Sequence, residues 1–275
     1  MGVPVGLAAA MLHIPFVTHD SDSVPGLANR IIARWARKHA VGMPEELYAY
    51  ERSKTVTVGV PVVKNYEFVT PALQAQYRQE LHIPATAQLL FVIGGGQGAR
   101  SLNNALTTIL PDLLQQFSDL YVVHGAGRAN EAAVRAAYEA SLSADAIKRV
   151  QVAGYLHDVY RYSGASDVII TRAGATNLAE FAVQGKACIV VPAPFLTGGH
   201  QLKNAAYLHE QQATEQVSEA DLESRPQVLA QKITELLQNA DYRQALGKKF
   251  TTFGHPQAAQ ELAALLLKEM NTHAS

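Results

Sequence analysis

Leu89-Leu90-Phe91-Val92-Ile93-Gly94-Gly95-Gly96 is the stretch on which the fold turns. Five consecutive apolar residues without alternation read as a strand buried on both faces. Glycines end the run, and a helical pattern follows from about Ala99. The same grammar recurs along the chain. Leu120-Tyr121-Val122-Val123 ends at His124-Gly125, ahead of an alanine-rich helical stretch. Val150-Gln151-Val152, Asp167-Val168-Ile169-Ile170 and Ala187-Cys188-Ile189-Val190-Val191 repeat it. Strand, turn and helix in series predict an α/β protein with a doubly wound parallel sheet.

Toward the N-terminus the pattern is shorter. It predicts a helix over 6–12, a strand over 14–18, a helix over 25–37, and strands over 39–42 and 55–58. These are too few strands for a complete doubly wound domain, so residues 1–62 read as the end of one. Gly59-Val60-Pro61-Val62 interrupts the pattern and marks the boundary. Residues 63–254 form the main domain and 255–275 a final helix. In that helix Ala259, Leu262, Ala263, Leu266 and Leu267 recur at helical spacing after Gly254 and Pro256. It is expected to pack back on the N-terminal segment.

Composition narrows the function. The chain has 275 residues, 48% of them apolar and 17% charged, which excludes disorder and permits a large core. A net charge of -1 offers no overall electrostatic footprint for nucleic acid. The single cysteine, Cys188, rules out an intramolecular disulfide framework and a cysteine-clustered zinc site. Within its apolar run it reads as a small buried hydrophobe. No apolar stretch reaches the roughly 18 residues that span a bilayer. Met1 to Val17 is apolar but contains no Lys or Arg, so a secretory signal is not expected. Gly6 stands where a myristoylation pattern needs Ser or Thr. A cytoplasmic protein is the expectation.

Four blocks carry candidate chemistry. Gly94-Gly95-Gly96-Gln97-Gly98-Ala99, between strand and helix, suits backbone approach to a phosphate at a helix N-terminus. It also suits a tight turn alone. A dinucleotide fingerprint would need an acid at the end of the next strand, where His124-Gly125 stands instead. No Gly-Lys-Ser/Thr closes the loop as in a P-loop. Thr171-Arg172-Ala173-Gly174-Ala175-Thr176-Asn177-Leu178-Ala179-Glu180 lies at a strand-to-helix crossing. There Glu180 either accepts from a vicinal diol such as ribose or complements the helix dipole. Gly198-Gly199-His200-Gln201-Leu202-Lys203-Asn204-Ala205 brings His200 and Gln201 to a helix start on the same sheet edge. Gln201 offers donor and acceptor groups to sugar hydroxyls, and helix capping is the plainer alternative. His19-Asp20-Ser21-Asp22-Ser23-Val24-Pro25 gathers carboxylates and hydroxyls after a strand. Asp22 or Ser23 as N-cap is the favoured reading there, and a lone His-x-x-Asp argues poorly for a metal.

In order and spacing these blocks resemble the MurG family, bacterial glycosyltransferases that add GlcNAc to the undecaprenyl-diphospho-muramoyl-pentapeptide precursor of peptidoglycan. The likeness rests on His19-to-Arg30, Gly94-to-Asn103, Arg172-to-Glu180 and His200-Gln201-x-x-Asn204-Ala205, and runs over essentially the whole chain. It implies a two-domain GT-B fold with UDP-GlcNAc bound mainly by the C-terminal domain. It implies donor contacts at Gly96, Leu156, Ala175, Thr176, Asn177, Leu178, Ala179, Glu180 and Gln201. Leu156 would clamp uracil through its backbone, Glu180 would hold the ribose diol and Gln201 would reach the GlcNAc hydroxyls. His19, Asp20 and Asp22 fall on the acceptor side. The resemblance further implies an inverting reaction without metal or cofactor, a lipid-linked acceptor, and a peripheral position on the anionic cytoplasmic face of the plasma membrane. The basic residues Arg30, Arg34, Arg37 and Lys38, expected along one face of a helix over 27–38, are the predicted contact with anionic lipid. A helix that packs its apolar stripe on the sheet and leaves these charges solvated is the plainer alternative.

The sequence departs from the family on the acceptor side. Asp22 stands where the family has an asparagine, Val63 where it has an arginine, and Gly96 where it has a serine. The glycine-rich loop that carries the family's proposed catalytic histidine has no counterpart in these 275 residues, so no catalytic base is assigned. The alternative to a complete transferase is a donor-binding subunit, truncated or split, with a second chain supplying the missing half-domain.

Overall fold

The computed structural model describes residues 2–95 and 99–274. The chain opens with α1 (Gly2–Met11), β1 (Val17–Asp20), α2 (Leu27–Ile32), β2 (Lys38–Val41) and β3 (Thr55–Thr57). The three strands form a parallel sheet in the order β1-β2-β3. Then come α3 (Pro71–Glu80), β4 (Gln88–Ile93), α4 (Arg100–Gln116), β5 (Leu120–Gly125), α5 (Glu131–Ser141), β6 (Val150–Ala153) and α6 (Val159–Ala165). The series continues with β7 (Val168–Thr171), α7 (Ala175–Gln184), β8 (Ala187–Val190), α8 (His200–Glu210) and β9 (Glu215–Gln216). Four helices close it: α9 (Glu219–Ser224), α10 (Gln227–Gln238), α11 (Ala240–Phe250) and α12 (Ala258–Ala274).

The six strands of the second sheet lie in the order β6-β5-β4-β7-β8-β9, every pairing parallel. Its strands are the apolar runs of the sequence, and their lack of alternation has a direct cause. In β4, Leu90 and Val92 enter the core beneath α4 and α10, whereas Leu89 and Phe91 enter the core on the opposite face. Helices on both faces leave no wet side for polar residues. Helix starts follow local chemistry: Thr70 accepts from Leu73 N with Pro71 at the first turn, and Asn239 accepts from Tyr242 N. Cys188 is fully buried in β8, and burial pushes its thiol pKa up.

The N-terminal segment departs from expectation in two places. The strand expected over 14–18 begins at Val17, because Ile14 N donates back to Ala9 O and closes α1. The helix expected over 25–37 ends at Ile32 and tightens into a 3-10 turn, Ala33–Trp35. Arg37 N donates to Phe16 O, and Lys38 pairs with Val17 in the sheet. Parallel pairing therefore takes residues that helical periodicity claimed. The basic residues do not share one helical face. Arg37 is ion-paired with Glu269 of α12 at 3.7 Å, and Lys38 Nζ donates to Ser53 O at 2.8 Å.

Both units share a core. Val41, Met43 and Tyr48 belong to the same apolar cluster as Leu89, Phe91 and Ile169. Gly59, with φ +81°, passes against His255: a Cβ there would sit 2.2 Å from the His255 Cβ. Along α12, Ala258 is buried, but Leu266 and Leu267 of the expected apolar stripe are 42% and 59% exposed. Among the described residues no helix is long and apolar enough to cross a membrane.

Candidate functional site

Strand order reverses between β4 and β7, and open α/β sheets carry their ligand crevice at such a point, beyond the carboxyl ends of the strands. A crevice of about 940 Å³ lies there. Gly94, Gly95 and the first turns of α4 form one wall; Gly174 and the first turn of α7 form a second. The loop after β8, with Ala193, Phe195 and Leu196, and Gln201 at the start of α8 form a third, and α9 closes the end through Glu219 and Leu222. Gly95 holds φ +87° with open space where a Cβ would be, so its backbone conformation, not crowding, calls for glycine. Ala99 and Gly174 cap α4 and α7 with no side-chain bond, leaving first-turn N–H groups for a ligand.

The sequence-derived donor residues divide in the structure. Ala175, Thr176, Asn177 and Gln201 line the crevice. Gln201 is buried, and its Oε1 accepts from Ala193 N at 3.0 Å, which fixes the loop after β8. The amide NH2 is the donor end it has to offer. Leu178 points into the core instead, on the buried face of α7 that it shares with Phe181 and Ala182, three and four positions on. Ala179 and Glu180 do not line the crevice. Glu180 lies beside Tyr66 of the segment joining the two sheets, and burial pushes its carboxyl up to about 7, offset in part by the Tyr66 hydroxyl. Leu156 is buried between β6 and α6, its Cδ1 over Gly125. Gly96 lies outside the described residues.

The acceptor-side candidates all have partners within the protein. His19 Nε2 bonds Gly59 O at 3.0 Å. Asp20 is buried: Oδ1 accepts from Gly26 N (2.9 Å) and Asn29 Nδ2 (2.8 Å), and Oδ2 accepts from Tyr50 (2.8 Å). Neither Asp22 nor Ser23 caps α2, whose N-cap is Gly26 with no side-chain cap bond; Asp20 accepts from the backbone N–H of Gly26 itself. Asp22 Oδ1 instead accepts from Asn204 Nδ2 at 2.8 Å. Asn204, fully buried at the foot of α8, also donates to Ala173 O and accepts from both the backbone N–H and the hydroxyl of Ser23. One side chain thus joins the N-terminal unit to the end of β7.

Sequence reasoning missed a buried cluster in the crevice: Arg172 and Glu219 are ion-paired, and Ser101 bonds both. Arg172 stood inside a recognisable block, but nothing in the sequence marks Glu219 as its partner. Burial disfavours the Glu219 charge, yet hydrogen bonds from Arg172 and Ser101 outweigh it and hold its pKa low.

Residues 89–262 match the family model of the glycosyltransferase family 28 C-terminal domain. A UDP-N-acetylglucosamine--N-acetylmuramyl-(pentapeptide) pyrophosphoryl-undecaprenol N-acetylglucosamine transferase of Sorangium cellulosum is 34% identical over 97% of this chain and 62% of its own length. The enzyme of the same name from Thermodesulfovibrio yellowstonii is 30% identical, over 96% of this chain and 70% of its own. The chain therefore spans less than two thirds of the first of these relatives. The crystal structure of Acinetobacter baumannii MurG superposes with a TM-score of 0.73 at 28% identity, over 97% of this chain and 70% of that one. Two parallel sheets, with a crevice at the switch point of the larger, define a protein of the GT-B class. The chain belongs to glycosyltransferase family 28 and, within it, to the MurG-like proteins.

Proposed function

We propose that this protein binds UDP-GlcNAc in the crevice and serves transfer of GlcNAc, with inversion, to undecaprenyl-diphospho-muramoyl-pentapeptide. The observation that carries the reading is the convergence of Ala175, Thr176, Asn177 and Gln201 with the uncapped starts of α4 and α7 on one cavity. The names of the curated relatives support the substrates. As the anomeric C–O bond breaks, negative charge develops on the leaving diphosphate. Helix N-termini and free backbone N–H groups stabilise such charge, and their dipoles are already oriented. Gln201 would hold sugar hydroxyls, and Glu180, outside the crevice lining and three positions after Asn177 on α7, would accept from the diol of a ribose that extends beyond it.

Calorimetry with UDP tests the donor half. Glu180→Ala is expected to weaken binding by about 1.5–3 kcal/mol, the range for hydrogen bonds to a charged group. A diol donates to the ionised carboxylate, and burial raises Glu180 to about 7. Binding should therefore release a proton in mild acid, and affinity at pH 6 should be about tenfold weaker than at pH 8. Wild-type protein without affinity for UDP would refute the reading. A transfer assay with a lipid-linked acceptor tests the second half.

The same reading puts the protein on the cytoplasmic face of the membrane. Leu27, Ile31 and Trp35 are exposed with Arg30 and Arg34 beside them, and Val5, Met11, Leu12 and Ile14 of the α1 region add apolar surface. Neutralising Arg30 and Arg34 to glutamine should cost about 2 kcal/mol of affinity for anionic vesicles. Equal sedimentation of wild type and variant would remove this surface as the contact.

A further inference from the structure

The Arg172–Glu219 pair lies inside the crevice with side chains only 9% and 8% exposed. Arg172 Nη1 donates to Val191 O at 3.1 Å and to Glu219 Oε2. Its Nη2 donates to Ser101 Oγ at 2.9 Å and to Glu219 Oε1 at 3.2 Å. Both hydrogens on each Nη are therefore engaged within the protein. Ser101 Oγ in turn donates to Glu219 Oε1 at 2.5 Å. The cluster ties the first turn of α4 to the ends of β7 and β8 and to the first residue of α9. A cation in this place is otherwise the natural ligand of a diphosphate, because a guanidinium matches phosphate oxygens in a fork.

We propose that Glu219 is a positioning residue that occupies the charge and the fork of Arg172, so that the donor diphosphate is held by backbone N–H groups and helix ends and not by a fixed side-chain cation. The inference rests on the donor-binding reading above. It has a mechanistic purpose. A free arginine would bind the diphosphate equally before, during and after transfer, which tightens substrate and product without lowering the barrier. With the arginine neutralised, the crevice favours the charge that develops on the leaving group and lets UDP go.

Paired titrations with UDP and uridine test this, because the two ligands differ only in the diphosphate. Glu219→Gln keeps the shape of the side chain and an acceptor for Ser101, but leaves the Arg172 charge unbalanced. UDP is expected to bind about tenfold tighter, uridine is expected to be unchanged, and rising salt should erase the difference. Adding Arg172→Met in the same background should remove the gain. A purely structural role would instead weaken UDP and uridine in proportion, and that result overturns the proposal. So does an unchanged UDP-to-uridine ratio, or a gain that survives Arg172→Met. Should Glu219→Gln not fold, the double variant, which buries no unpaired charge, decides alone. Its UDP-to-uridine ratio should match the wild type, and a tenfold loss of UDP alone would make Arg172 a direct diphosphate ligand. Wild-type protein that binds neither ligand overturns the donor reading itself, and this is visible before any variant is made.

Discussion

Asn204→Leu is expected to lower the stability of the protein by about 3–5 kcal/mol, the range for breaking a buried polar network by removing one partner. Leucine fills a similar volume, so the loss is of hydrogen bonds rather than packing. Asn204 is fully buried and makes four of them, to Ser23 N, Ser23 Oγ, Asp22 Oδ1 and Ala173 O. After the substitution the backbone N–H of Ser23 and the Ala173 carbonyl stay buried without a partner, and Asp22 Oδ1 loses the donor that Asn204 supplies. In a chain of this size such a loss lowers Tm by about 10 °C. Because the bonds cross from the N-terminal unit to the end of β7, proteolysis should begin earlier in residues 1–57 than in the larger sheet. Thermal unfolding within about 2 °C of wild type would show that the junction stands without Asn204.

Acid should unfold the protein through His124. This histidine is fully buried at the end of β5, where Nε2 bonds Asn103 Oδ1 and Nδ1 bonds the Tyr138 hydroxyl, both at 3.0 Å. Burial lowers its pKa from 6.5 to about 4. The folded state therefore binds fewer protons than the unfolded chain between these values, and stability must rise with pH across that window. The contribution is complete above pH 6.5 and is lost progressively as pH falls toward 4. It totals about 3 kcal/mol, with about 2 kcal/mol of that gone between pH 7 and pH 5. Urea unfolding at a series of pH values measures the slope. His124→Gln, which has no proton to gain, should be less stable at neutral pH and flatter from pH 6.5 to 4. An unaltered slope in the variant would assign the acid sensitivity to other groups.

The second sheet was legible because its strands are buried on both faces and so cannot alternate. Leu89 to Ile93, Leu120 to Val123 and Ala187 to Val191 carry that signature in five residues or fewer, with glycines or prolines to end them. Part of the crevice was legible because a strand-to-helix turn is a local feature, and Ala175, Thr176, Asn177 and Gln201 sit in the first turns that follow such crossings. The direction of Leu178 was also open to reading, since Phe181 and Ala182 follow it at three and four positions, the spacing of one apolar helix face.

Other features depended on partners far away in the chain. Whether residues 33–38 continue a helix or enter a sheet was decided by Phe16 and Val17, which offer parallel pairing that periodicity does not register. The carboxylates of Asp20 and Asp22 looked available for an acceptor until Tyr50, Asn29 and Asn204 were brought against them. Glu219 carries no motif, and it becomes part of the crevice only because α9 packs over α4 and sets its first residue against Arg172, 47 positions earlier. Sequence by itself determined the class of the fold, the strands of the larger sheet and the turns that line the crevice, because burial pattern and turn chemistry act over a few residues. The tertiary structure alone decided which charges are free and which are neutralised, since a buried charge takes its partner from whatever the fold places beside it.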